Sequence, residues 1–180
     1  MKVGYQIFIG NMGNPLTENV GEILLQGLKL IEKIDDGSFT NGNRGSIGTH
    51  FRHCLDFASN FSQGLKIGKI DYSQRARNTE VETNREEAIL HLSFIIQELQ
   101  AVEISDLEKP VMVKIEEISG LMGKPEWACS SGWRELEFLQ SHTIHHFALI
   151  AYKLQALGIE VEDEFGVAPS TLKYWAEANN

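Results

Sequence analysis

Five of the six histidines in this sequence of 180 residues fall into two short clusters. The first cluster holds His50 and His53, and the second holds His142, His145 and His146. The i, i+4 spacing of His142 and His146 places two imidazoles on one face of a helix, one turn apart. Two such ligands from one helix and a third from a facing helix make a metal site with open positions for water. The spacing therefore predicts a divalent metal site.

The helix face that carries His142 and His146 is otherwise apolar. Its other members are Phe138, Leu139, Leu149 and Ile150. Unpaired imidazoles are costly to bury in such a face, and a metal ion would satisfy them. The alternative interpretation is that these are core or surface histidines with ordinary hydrogen bonds. We favour the metal because a second histidine cluster occurs on another predicted helix, but spacing does not choose between His50 and His53 as the third ligand.

Composition and charge describe a single globular domain over residues 1–180, with 42% hydrophobic and 23% charged residues. A net charge of −9 argues against binding to nucleic acid or to anionic membranes, because phosphate binding needs clustered Lys and Arg. No apolar run approaches the roughly 18–20 residues that cross a bilayer. The apolar segment from Tyr5 to Ile9 is too short for a signal peptide, so we expect a cytoplasmic protein. Cys54, inside an apolar helical pattern, is predicted to be a buried free thiol.

Apolar residues at helical spacing predict four main helices, over 16–35, 46–64, 83–101 and 132–157. Ser46 and the capping box of Thr83 and Glu86 are predicted to start the second and third helices, and Gly158 to end the fourth. Residues 35–45 have the composition of a loop, and a short helix is predicted over 171–177. Four helices with short connections predict a mainly α fold, an antiparallel four-helix bundle whose inward side chains build metal sites.

One region has strand character. Val111, Val113 and Ile115 alternate with Met112, Lys114 and Glu116, which is the period of a half-buried strand. The segment from Glu126 to Ser130 is predicted to be the returning strand. The bundle is therefore expected to carry a small β-hairpin insertion before its last long helix.

The two histidine segments resemble those of the DinB-like, or thiol-dependent S-transferase, superfamily. The segment from His53 to Asp56 is similar to that family's His-x-x-Asp motif on its second helix. The segment from His142 to Ala148 is similar to its His-x-x-His-His-x-Ala motif. The resemblance implies His53, His142 and His146 as the metal ligands, with His50 as the alternative on the second helix.

Further segments are similar to a bacterial branch of that superfamily: Gly68 to Arg77, Glu82, and Arg134 to Leu139. Arg75 and Arg77 are predicted to bind a substrate carboxylate or phosphate through the fork geometry of guanidinium, the alternative being a solvated charged loop. Glu135 lies two turns before His142. It is predicted to orient a ligand histidine or to act as a general base, the alternative being an ordinary helix salt bridge.

The resemblance implies a metal-dependent transferase or hydrolase, because members of the superfamily include transferases that use low-molecular-weight thiols. In this hypothesis the metal activates a thiol or water toward a small anionic substrate. Zinc, nickel, iron and manganese all suit three imidazoles. A non-catalytic module that binds or senses a small molecule is one alternative, and a structural metal with His50 or His145 as fourth ligand is another. Since related bundles often pair, a homodimer is also expected.

Overall fold

The computed structural model describes residues 15–42, 45–74, 76, 79–114 and 127–178, without the side chains of residues 15 and 16. Within these ranges the chain is mainly helical, with eight helices and one small sheet of three strands. None of the described helices is both long and apolar enough to span a membrane. Arg75, Arg77, Ile115, Glu126 and the N-terminal segment lie outside the described residues.

The four main helices and the short C-terminal helix predicted from the sequence are confirmed, and three shorter helices join them. The helices are α1 Pro15–Lys33, α2 Asp36–Thr40, α3 Ile47–Ile67, α4 Thr79–Thr83, α5 Arg85–Gln100, α6 Ile104–Leu107, α7 Gly132–Ala156 and α8 Pro169–Ala178. The prediction of a continuous loop over residues 35–45 was wrong. Asp35 caps α2 there by accepting a hydrogen bond from the amide of Ser38, and α2 buries the ring of Phe39.

Ser46 starts α3 as predicted, and its hydroxyl accepts a hydrogen bond from the amide of Thr49 at 3.0 Å. The helix runs three residues beyond the predicted end, to Ile67, where Gly68 adopts the left-handed conformation at φ +70°. The predicted capping box of α5 was wrong. Asn84 caps this helix instead and accepts from the amide of Glu86 at 3.0 Å, because Thr83 still belongs to α4.

The antiparallel strand pair predicted before the last long helix is confirmed by β2 (Pro110–Lys114) and β3 (Ala128–Ser131). A further strand, β1 (Lys69–Asp71), pairs in parallel with β2 and was not predicted. Three residues are too few to show alternation in the sequence. Since β1 follows α3 and β3 runs directly into α7, the sheet ties the C-terminal end of α3 to the N-terminal end of α7.

The four long helices share one apolar core, in which α1 and α3 each contact both α5 and α7. Phe147 of α7 is fully buried in this core, with its ring 5.4 Å from that of Phe51 and 4.9 Å from that of Phe165. Gly27 of α1 faces these rings, and a Cβ atom there would lie 2.5 Å from Phe147. Phe51 and Phe147 each directly follow a histidine in the sequence, so the core packing fixes the direction of the histidines beside them.

Candidate metal centre

Helices α3 and α7 bring His53, His142 and His146 together. One ligand nitrogen from each ring lies within 4.8 Å of the other two, and these three residues form a group that can hold a metal ion. The Nε2 atoms of His53 and His142 are 3.0 Å apart. Ring centroids are separated by 4.9 Å for His53 and His142, 4.6 Å for His53 and His146, and 4.7 Å for His142 and His146. All three rings are half-buried.

The donor set fits a divalent first-row metal. Imidazole nitrogens bind such ions at about 2.0–2.1 Å. Two nitrogens at that distance around one ion would be about 2.9 Å apart at right angles and about 3.3 Å apart at the tetrahedral angle, and the Nε2 atoms of His53 and His142 are 3.0 Å apart. Within the described residues, the group contains no fourth histidine, cysteine or carboxylate. The arrangement therefore suits an ion with open positions better than the closed four-ligand site typical of structural zinc.

An aromatic wall packs against His142. The rings of Phe57 and Phe138 lie 4.3 Å and 5.5 Å from the His142 ring, and Phe57 also contacts His53 at 4.9 Å. The ring of Tyr72 contacts both phenylalanine rings, with its centroid 5.1 Å from that of Phe57 and 5.6 Å from that of Phe138. The wall restricts the rotation of His142 and gives one side of the site a low dielectric, which strengthens electrostatic interactions there.

His146 is held neutral. Burial, and then the neighbouring imidazoles led by His53 and His142, lower the pKa of His146 to about 3. An imidazole must be neutral to ligate a metal, so His146 is ready to bind an ion throughout the neutral pH range.

His50 lies beside the three-histidine group rather than within it. Its Nδ1 atom is 2.9 Å from Nδ1 of His146. Burial lowers the pKa of His50, with smaller contributions from the charges of Lys153 and His145. His145 is exposed, and its ring centroid lies 5.3 Å from that of His146.

Glu135 is buried near the start of α7, where the helix dipole favours a negative charge. Its Oε1 accepts a hydrogen bond from Ser130 Oγ at 2.6 Å and lies 3.5 Å from Nη1 of Arg134. Burial and the nearby carboxylate of Glu135 raise the pKa of Tyr72. The contact to Arg134 matches the salt-bridge alternative. A role of Glu135 toward a ligand histidine stays a prediction.

Asp71 and Glu82, two acidic residues close in sequence to Arg75 and Arg77, have specific contacts. Arg52 donates to Glu82 at 2.7 Å and to Asp56 at 2.9 Å, and Thr49 donates to Glu82 at 2.8 Å. Asp71 accepts hydrogen bonds from Ser73. Asp71 and Glu82 are therefore held by side-chain contacts. The proposed substrate-binding arginines, Arg75 and Arg77, lie outside the described residues.

A groove of about 830 Å³ lies elsewhere, between α1 and residues 159–165. Its walls contain neither histidine nor cysteine, and an ion pair between Lys33 and Glu162 bridges it at 2.6 Å. We place the chemistry at the histidines because ligand atoms converge there, whereas the described residues of the groove walls form no such group.

Comparisons with known proteins leave the family of this chain open. No family model matches it. The chain is 31% identical over 108 residues to FK506-binding protein 5 of Rhizopus delemar. That match covers 58% of the present chain but 27% of the fungal protein, so the chain spans about a quarter of that relative's length.

Proposed function

We propose that this protein is a metal-dependent enzyme that joins a thiol or water to a small anionic substrate. The observation that carries the proposal is the convergence of three imidazoles from α3 and α7, with ligand nitrogens within 4.8 Å of one another. His53, His142 and His146 would hold the ion. A divalent ion bound there supplies Lewis acidity, which lowers the pKa of a bound water or thiol.

Two cations near the histidines support an anionic substrate. The guanidinium of Arg134 lies over the Phe138 ring at 5.3 Å, and that ring stacks on His142. Lys153 follows His146 by two turns of α7, and its charge acts on His50. In the proposal these side chains attract the substrate, together with Arg75 and Arg77, whose roles rest on the sequence alone.

A DinB-like four-helix bundle is the fold that we propose for this site. Its support is the order of the two histidine motifs along the chain and the contacts of α1 and α3 with both α5 and α7, which close a ring of four helices. The expected thiol substrate and the homodimer belong to the same proposal.

The proposal is tested by assaying tag-free, metal-loaded protein for thiol transfer and for hydrolysis across broad substrate panels. We expect turnover with one of zinc, nickel, iron or manganese, and its loss in His146→Ala. The control is His91→Ala, because His91 lies on α5 and outside the group. The proposal fails if His146→Ala keeps the turnover found in the wild type. It also fails if no panel shows turnover while a compound stabilises the protein and is recovered unchanged, which would establish a binding module.

A further inference from the structure

His50 lies at the site, but it is not one of the three histidines proposed to hold the metal. It lies on α3 one turn before His53 and is half-buried. Its ring faces His146 of α7, with centroids 5.2 Å apart and the planes inclined by 48°. Its Nδ1 atom lies 2.9 Å from Nδ1 of His146, which is the distance of a good hydrogen bond.

The chemistry of imidazole determines which ring donates when an ion is bound. A neutral imidazole has one N–H group and one nitrogen with a lone pair. A ligand histidine must turn its lone pair to the ion. Because Nδ1 of His146 faces His50, Nε2 is the nitrogen left to face the site, and the proton must then reside on Nδ1.

We infer that His50 is the positioning residue of His146: it accepts the Nδ1–H hydrogen bond of His146 and so presents Nε2 of that ring to the metal site. This inference rests on the proposed function. Metal-ligating histidines usually donate their second N–H to a carboxylate, a backbone carbonyl or water. Here a second imidazole accepts, and it carries its own proton on Nε2.

Both helices hold His50 in place for this role. Ser46 caps α3 one turn before it, and Phe51 packs the following position against Phe147. Lys153 of α7 donates a hydrogen bond to the carbonyl of Gly45 at 2.9 Å, and a Cβ atom at Gly45 would lie 3.9 Å from Nε2 of His50. The acceptor ring is therefore fixed from the same two helices that carry the ligands, as a positioning residue requires.

The first test compares zinc affinities of the wild type, His50→Leu, His50→Asn and His91→Leu, each shown to be folded by circular dichroism. Removal of such a partner typically weakens metal binding about 10–100-fold, and we expect this loss in His50→Leu. Asparagine places a carbonyl oxygen close to the position of Nδ1, so His50→Asn should recover most of the affinity. His91→Leu should bind zinc like the wild type, because His91 is not part of the cluster.

The second test reads the protons directly, by long-range ¹H–¹⁵N NMR. In the zinc-loaded wild type, His146 should carry its proton on Nδ1 and His50 on Nε2. In the metal-free protein, the Nδ1–H of His146 should be hydrogen-bonded to Nδ1 of His50. This hydrogen bond should be absent in His50→Leu.

The outcomes separate this inference from the proposed function. Tight zinc binding by both wild type and His50→Leu would overturn the inference and leave the proposed function standing. If the wild type binds no zinc, nickel, iron or manganese, the proposed function fails and the metal-positioning role of His50 fails with it, and the metal-free spectrum then decides only whether the hydrogen bond between the two rings exists. A shared Nδ1–H would then support the ring-to-ring contact, whereas Nε2–H protons on both rings would overturn it.

Discussion

At the scale of residues, the site converges on His146. Its ring contacts those of His50, His53, His142 and His145. The sequence predicted the pair on α7 because i, i+4 spacing alone puts two rings on one helix face. It did not choose between His50 and His53, since the rotation of α3 about its own axis is set by how Phe51 packs against α7.

The depressed pKa of His146 makes the stability of the metal-free protein depend on pH. Its ordinary value is 6.5 and the folded value is about 3, so the unfolded chain binds more protons between these values. The contribution of the neutral His146 ring to the free energy of unfolding is fully present above the ordinary pKa of 6.5. It is lost as the pH falls toward the folded pKa of about 3. We expect a lower urea midpoint at pH 5 than at pH 7, with a smaller difference in His146→Gln. An equal difference in both proteins would contradict this assignment.

At the scale of elements, α3 is the helix on which the site depends, because it carries His53 and His50 and borders α4, α5 and α7. Its start was predictable because a serine cap has a local signal. The contact that ties it to α4 was not predictable, because Glu82, which accepts a hydrogen bond from Arg52, lies 30 positions away in the sequence. The strand β1 was missed because its pairing with β2 is non-local.

Gly48 tests how closely α3 and α4 approach. A Cβ atom there would lie 2.0 Å from the backbone oxygen of Glu82 and 2.8 Å from the Phe39 ring. Backbone cannot move aside as a flexible side chain can, so we expect Gly48→Ala to lower the free energy of unfolding by about 1–3 kcal/mol or more.

The matched control is Gly21→Ala in α1, where no atom of the described residues lies within 4 Å of the added Cβ. Alanine there should raise the free energy of unfolding by roughly 0.5–1 kcal/mol, because it restricts the unfolded chain. Urea unfolding measures both variants. Equal stabilities of Gly48→Ala and Gly21→Ala would show that α4 does not press on α3 as described.

At the scale of the whole molecule, the mainly helical class and the strand pair before α7 could be predicted, because helical periodicity and strand alternation are local. The three-stranded sheet and the placement of His50 could not, because both depend on which surfaces meet after the chain folds. The site joins residues that are 89 positions apart, His53 and His142. An ion held by both would therefore cross-link α3 to α7 in the folded state.

This cross-link predicts stabilisation of the whole fold by metal. A ligand at 100 times its dissociation constant adds about 2.7 kcal/mol to the free energy of unfolding, which corresponds to a rise in Tm of roughly 5–10 °C for a chain of this size. The rise should persist in His91→Ala and vanish in His53→Ala. Differential scanning calorimetry with and without zinc measures it, and a shift that survives in His53→Ala would place the metal elsewhere.

The most direct test of the central claim is the metal content of tag-free protein that has never been exposed to a nickel column. Mass spectrometry would compare the wild type with His53→Ala, His146→Ala and the control His91→Ala. The site predicts about one equivalent of a divalent metal in the wild type and in His91→Ala, and its loss in the other two variants. A wild type that holds no metal, even after reloading with zinc, nickel, iron or manganese, would contradict the claim that these three histidines form a metal centre.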